Sequence, residues 1–499
     1  MVETLLGIDV GSSAVKVCLL DAHSGSVLTH ATSPAQELEI QSSQPGWAEQ
    51  DPELWWEHTK RAIEAIRATH QDALRGVKGI GIAYQMHGLV LVDDDGAPIR
   101  PSIIWCDSRA VEIGAEAFDA LGPDNCLSRL GNSPGNFTAS KLAWVLRNEP
   151  RVFEKASHLM LPGDYLTFKL TGRLGTTPTG LSEGVLWDYL EHRPAQMVLE
   201  YFGVPSTIIP PVSPCLGAFA GVRTDIAESL GIPAGVPVTY RAGDQPNNAL
   251  ALNVMNPGEI AANAGTSGVV YGVASKLGVD PHSRVNNFLH VNSTPDHLRV
   301  GMLMCVNGAG SFYRWMKHTL GAGKSYHELN AMAATSPAGS RGVIALPYGN
   351  GAERTLSNRT IGASLERLDL NRHTPADLFR ATQEGVVFAL CYGLEIMRDM
   401  GLAPVRVRAG NANMFQSEIV RQTFATTTEV PLELYSTDGS EGAARGAGIG
   451  AGIFSFSDAF RGLSRELIVE PDRSTMAATH DAYGIWKESV AQKLGGHAS

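Results

Sequence analysis

Apolar positions near the start of the chain recur with period two and then with a helical period, and the changes of period mark the elements. In "LLGIDVGSSAVKVCLLD" (5–21) an apolar run is broken by Asp9 and by Gly11-Ser12-Ser13, then resumes with alternation. The pattern predicts a strand over 5–10, a tight turn, a strand over 14–20, a turn at His23-Ser24-Gly25 and another strand, as in a meander. Helical spacing follows. Asp51 is a good N-cap, Pro52 stands at the first helical position, and Leu54, Trp55, Ala62, Ile63 and Ile66 share one face. A buried strand over 77–83 leads to the polar turn "YQMHG". "LVLVDDDGAPI" reads as a strand and hairpin turn, because Asp93-Asp94-Asp95-Gly96 has the wrong spacing for a calcium loop.

Further on, "SKLAWVLRNEP" is a helix that must end before Pro150. A second run of short strands begins near Val238. Thr374 and Pro375 open a long helix that Gly401 closes, and "VRVRA" and the turn "GNAN" come next. "EGAARGAGIGAG" (441–452) fits a loose dinucleotide-binding fingerprint at Gly446, Gly448 and Ala451. It follows no clear strand and lacks the acidic residue a ribose needs, so it reads as a small-residue helix packed closely on its neighbours.

The chain also echoes itself. "GIDVGSSAVK" (7–16) aligns without a gap to "AANAGTSGVV" (261–270), pairing Asp9 with Asn263, Gly11 with Gly265, Ser12 with Thr266 and Ser13 with Ser267. Each copy is strand, small-residue turn, strand, and the copies lie half a chain apart. That predicts a duplicated lobe with a ligand between the two turns.

Composition supports two lobes, since 499 residues exceed one ordinary core. An apolar fraction of 43% and a charged fraction of 18% belong to a soluble globular protein, and no window approaches a membrane span. The N-terminus enters a strand at once without a basic leader, and the six cysteines never form a CxxC pair; both predict a cytoplasmic protein without zinc or disulfides. A net charge of −11 without a basic block argues against a nucleic-acid partner. An anionic ligand must then be held by backbone N–H groups and a metal.

Such turns can do this. Small residues let successive amides approach a phosphate, although no GxxxxGK[ST] P-loop is present. Asp9, at a strand end, suits Mg²⁺; Lys16 either offsets phosphate charge or faces outward from its strand. In "YRAGDQPNNALALN", Asp244 follows a strand and Gly243, with Gln245 beside it. It is placed to take a proton from a hydroxyl attacking phosphorus, to cap the next helix, or both. Gln85-Met86-His87, and Trp105, Asp107 and Arg109 of "IIWCDSR", stand at strand ends where polar groups beside an aromatic face suit a sugar. A structural histidine is the alternative for His87.

With those pieces in place, the chain resembles the FGGY carbohydrate kinases of the actin-like ATPase superfamily, along nearly its whole length. The shared stretches include "GIDVGSSAVK", "GWAEQDPELWW", "GIAYQMHG", "IIWCDSR", "AGDQ", "NAGTSG", "LPYGNGAERT" and "AGNAN"; "QMHG" and "WAEQDP" point to its xylulokinase branch. The resemblance implies an α/β fold of two ribonuclease-H-like lobes with a central cleft. It implies a sugar-binding lobe over 1–247, a nucleotide-binding lobe over 248–460, and a helical segment over 461–499 packing back on the first lobe. It implies transfer of the γ-phosphoryl of Mg·ATP to D-xylulose or another ketose or polyol, often by a homodimer. Asp244 would be the base and Asp9 the metal-linked carboxylate. Gln85, Met86, His87, Trp105, Asp107 and Gln245 would meet the sugar. Gly11, Ser12, Ser13, Lys16, Gly265, Thr266 and Ser267 would meet phosphates, and Gly410, Asn411 and Asn413 the adenosine. The chain departs from the pattern at Gln245, where the branch has Asn, at the glycine-poor "AGNA", and at "GAERTL". The rival readings are an actin-fold ATPase working on peptides or filaments, and an idle sugar sensor.

Overall fold

The meander forms as β1 (Thr4–Val10), β2 (Val15–Asp21) and β3 (Val27–Ser33) in the computed structural model, which describes residues 2–495. Leu5, Leu6, Ile8 and Val10 are all fully buried, so β1 reads as a continuous apolar run because both of its faces are covered. Helix α1 (Pro52–Leu74) starts as expected, with the Asp51 carboxylate accepting from the Glu53 N–H, and buries Trp55, Ile63 and Ile66 in the first-lobe core. Strands β4 (Val77–Tyr84), β5 (Leu216–Gly221) and β6 (Pro237–Gly243) complete a sheet of order β5-β6-β4-β1-β2-β3.

Helix α2 (Asp244–Ala251) leaves the end of β6 and leads to the second sheet. That sheet contains β7 (Glu259–Ala264), β8 (Gly268–Ala274), β9 (Asn286–Leu289), β10 (Val300–Val306), β11 (Arg406–Gly410), β12 (Leu432–Tyr435) and β13 (Arg465–Val469). Its order is β9-β10-β8-β7-β11-β12-β13. Outward from β1 or from β7, each sheet has antiparallel neighbours on one side, and two parallel strands then an antiparallel one on the other. Strands β1, β2, β3, β4 and β6 therefore match β7, β8, β10, β11 and β12, while the antiparallel edge strand comes before β6 in the chain of the first lobe and after β12 in the second. The echo between residues 7–16 and 261–270 is a true duplication of lobes.

Helices α3 (Ala309–Leu320) and α4 (Pro375–Asp399) build the second lobe, α4 opening with a Thr374–Asp377 capping box. The small-residue stretch is helix α5 (Gly439–Gly450), within the span expected for the second lobe. It lies on the first lobe, where Ala444 and Ala447 pack with Leu5, Cys18 and Leu20. A methyl group on Gly7, Gly81 or Gly450 would overlap the carbonyl of Ser440, Ala443 or Thr239 respectively, so the backbones of helix and sheet touch. The Thr239 hydroxyl donates to the Ala447 carbonyl at 2.8 Å. The last helix, α6 (Met476–Gly495), packs instead into the second lobe, with Tyr483, Trp486 and Val490 beside Ile344 and Phe388. The return to the first lobe is made by the helix small enough to fit a glycine-bearing sheet; the bulky aromatic helix stays behind.

No described helix is long and apolar enough to cross a membrane. All six cysteines are free. Gly81→Ala is expected to destabilise the protein by about 2 kcal/mol, because its methyl meets fixed backbone rather than a movable side chain. Thermal melting checks this; an unchanged melting temperature would contradict the backbone-on-backbone packing.

Candidate active site

Both carboxylates sit where the chain leaves a strand of the first sheet. Asp9 is the penultimate residue of β1, opposite Lys16 across the β1–β2 pair. Asp244 is the first residue of α2, not its cap: the N-cap is Gly243, which makes no side-chain capping bond. Burial pushes Asp244 up to about 7, the nearby Asp9 charge adding to it and hydrogen bonds with Gln245 opposing it. Burial likewise raises Asp9 to about 6, Lys16 opposing and Asp438 adding. A carboxyl near neutrality in a cleft suits proton transfer.

A cavity of about 300 Å³ between the lobes is lined by Asp9, Lys16, Gln245, Asn263, Asn413 and Asp438, among others. Asp9 and Asn263, the aligned residues of the two echo copies, thus face one space. An adjoining cavity of about 540 Å³ in the second lobe is lined by Gly265, Thr266, Ser311, Arg314, Gln416 and again Asn413. The second turn is backed by the N-terminus of α3, where the Gly310 and Ser311 N–H groups donate to the Gly265 and Thr266 carbonyls at 3.0 and 3.1 Å. At the far side of the larger cavity the Ser417 hydroxyl bonds Gln383, Gln383 donates to the Tyr313 hydroxyl at 3.1 Å, and Tyr313 donates to Asn330 at 2.6 Å.

Other assigned residues fall elsewhere. Gly11, Ser12, Ser13 and Ser267 line neither cavity. The Ser12 carbonyl accepts from Gln50 Nε2 at 2.7 Å, and its hydroxyl meets Trp105 Nε1 at 3.3 Å. Gln245 lines the smaller, interlobe cavity beside Asp9. Gly410 lines that cavity too, whereas the Asn411 side chain is spent on Glu466 at 2.6 Å, outside both. Asp107 is no free sugar ligand. Its carboxylate accepts from the Ala48 N–H and pairs with Arg109, whose guanidinium stacks on Trp47 and Trp144. An acid two residues from an arginine found its partner locally.

The "QMHG" turn lines neither cavity, and its Gln85 and Met86 are buried. His87 adopts φ 62°, and its Nδ1 lies 2.8 Å from the Glu183 carbonyl. A carbonyl only accepts, so Nδ1 carries the hydrogen and Nε2 is left as an acceptor. Burial, with the Lys141 ammonium next, lowers His87 to about 3 and keeps it neutral. Lys141 Nζ, buried beneath, donates to the His87 and Ile104 carbonyls at 2.9 Å each. Met86 is buried against Gly243, the residue before Asp244. Trp105 stands 50% exposed at the rim.

The model of the FGGY family of carbohydrate kinases, N-terminal domain, matches residues 4–251, and that of the C-terminal domain matches residues 260–454. The chain belongs to the FGGY family of carbohydrate kinases. This FGGY kinase is 32% identical over 470 residues to a xylulose kinase of Klebsiella pneumoniae, covering 93% of each. It is 32% identical over 445 residues to a xylulose kinase of Escherichia coli K12, covering 89% of this chain and 88% of the relative. A crystal structure of a xyloylose kinase from Brucella ovis, 28% identical, superposes with a TM-score of 0.89 over 98% of both chains. As a carbohydrate kinase it is a phosphotransferase, and kinases of this family use ATP with a divalent metal.

Two residues of the kinase site escaped the sequence reading. Glu183, 1% exposed, is described below. Gln50, also 1% exposed, gives Nε2 to the Ser12 and Glu39 carbonyls and takes the Trp55 and Gln85 N–H groups on Oε1. It ties the first turn to the start of "QMHG"; a polar residue inside "WAEQDPELWW" was the available sign. Gln50→Leu is expected to leave the Ser12 and Glu39 carbonyls and the Trp55 and Gln85 N–H groups unpaired and to destabilise the protein by about 2 kcal/mol. An unchanged melting temperature would show that the turn needs no such tether.

Proposed function

We propose that the protein transfers the γ-phosphoryl group of Mg·ATP to the terminal hydroxyl of D-xylulose, giving xylulose 5-phosphate and ADP. The observation that carries the reading is Asp244, whose carboxyl burial raises to about 7: the next residue, Gln245, lines the interlobe cavity, and the preceding one, Gly243, meets Met86. The names of the relatives support D-xylulose as acceptor.

The acceptor oxygen bonds to the γ-phosphorus, the bond from phosphorus to the β–γ bridging oxygen breaks, and the hydroxyl proton passes to Asp244. His87 Nε2 accepts from a second hydroxyl and orients the sugar. The adenosine occupies the larger cavity, and Thr266 and the start of α3 face its phosphates. Positioning and charge neutralisation carry most of the catalysis in such a transfer.

The residues fit a magnesium ion. Asp9 makes no hydrogen bond or ion pair among the described residues, and Gly439 leaves room for it: a methyl there would overlap Asp9 Oδ2. The surrounding donors, from Asp438, Asn248, Asn263 and Gln245, are hard oxygens, as Mg²⁺ prefers. The ion would neutralise the charge that develops on the phosphate chain. Asp9 would hold it directly or through water.

Asp244→Asn is expected to fold and bind D-xylulose with near-normal affinity while kcat falls by about a thousandfold or more. Near-normal turnover would remove Asp244 as base. Asp9→Ala should raise the Mg²⁺ concentration needed for half-maximal nucleotide binding, followed by calorimetry without sugar, and leave sugar affinity unchanged. A change confined to the sugar would contradict the metal assignment. A coupled ATP assay across ketoses, aldoses and polyols tests the acceptor itself; strongest turnover on another class would displace D-xylulose.

A further inference from the structure

One buried carboxyl beside the acceptor site has no role in the mechanism above. Glu183 ends a short helix (Pro178–Glu183) and is 1% exposed, yet its Oε1 has no hydrogen-bond partner among the described residues. A buried carboxyl without a partner is costly, because a desolvated polar group forfeits the hydrogen bonds water gave it. No arginine or lysine pairs with it. Burial, and then the charge of Asp244, push Glu183 well above the usual carboxyl range. That shift favours the uncharged acid, which donates as well as accepts.

Its direction is fixed by two contacts. The Glu183 main-chain carbonyl holds His87 Nδ1 at 2.8 Å. Its side chain reaches the opposite wall, where a methyl group on Gly243 would overlap Oε2 and come within 2.6 Å of Met86 Cγ. Gly243 precedes Asp244, so the missing side chain at 243 is what lets the carboxyl lie beside the base. Glu183 thus touches both halves of the acceptor site, His87 through its backbone and the Gly243-Asp244 corner through its carboxyl.

Resting on the acceptor site proposed above, we infer that Glu183 is a specificity-determining residue: its carboxyl hydrogen-bonds one sugar hydroxyl next to the one Asp244 activates. The unpartnered oxygen is satisfied only when a correctly placed hydroxyl arrives. A substrate lacking that hydroxyl leaves the buried acid unpaired, which discriminates more strongly than an apolar wall would.

The test is a cycle between protein and ligand. Binding of D-xylulose and of its singly deoxygenated analogues is measured by calorimetry without nucleotide, for the wild type, Glu183→Gln and Glu183→Leu. The expected result is a loss of roughly tenfold to a hundredfold for Glu183→Leu on D-xylulose, with Glu183→Gln keeping most of the affinity. A single analogue should show the same loss on the wild type and no further loss on Glu183→Leu. Equal losses on every analogue would mean that Glu183 only shapes the fold, and no loss on any would mean that it faces no ligand; either overturns the inference. If Glu183→Leu does not fold, Gly243→Ala, which displaces the carboxyl, carries the same comparison. A wild type that binds no D-xylulose sinks the proposed substrate alone; the cycle then runs on the sugar it does phosphorylate, and the claim for Glu183 stands or falls separately.

Discussion

The cleft depends on one electrostatic constraint: Asp9 and Asp244 are both raised by burial and lie near enough for the charge of Asp9 to weaken the acidity of Asp244. Such a pair costs the folded protein energy until a cation and a phosphate chain arrive. Lys16, opposite Asp9 on the neighbouring strand, offsets part of that cost. The arrangement leaves Asp244 raised to about 7 and Asp9 to about 6, each chiefly by burial.

What keeps the pair in place lies behind it. Helix α5 starts against Asp9 at Gly439, and Asn247 of α2 donates to the Gly439 carbonyl at 2.8 Å. The helix that begins with Asp244 and the helix that abuts Asp9 are thus locked together. Both rest on a sheet whose glycines allow backbone contact. Fine geometry in the cleft follows from coarse packing beneath it.

The echo of small-residue turns, the strand ends and the capping signals at Asp51 and Thr374 were all legible because they are local. Asp9 and Asp244 were legible for the same reason, each standing at a strand end in the sequence pattern. Gln50 and Glu183 were not, because their partners at positions 12, 85, 87 and 243 meet them only after folding. The lobe on which α5 lands was hidden too: a run of Gly and Ala says that a helix packs closely, and only the sheet glycines at 7 and 81 say on what. Asp107 misled because its neighbour Arg109 was taken as a second sugar contact rather than as its ion partner.

The late return of α5 to the first lobe also governs how this protein comes into being on the ribosome. The six strands of the first sheet are complete once residue 243 has emerged, but one face stays uncovered until residue 450 follows. Between those two points the nascent chain carries an apolar sheet face in search of a cover, and a chain cut between the lobes would never find one.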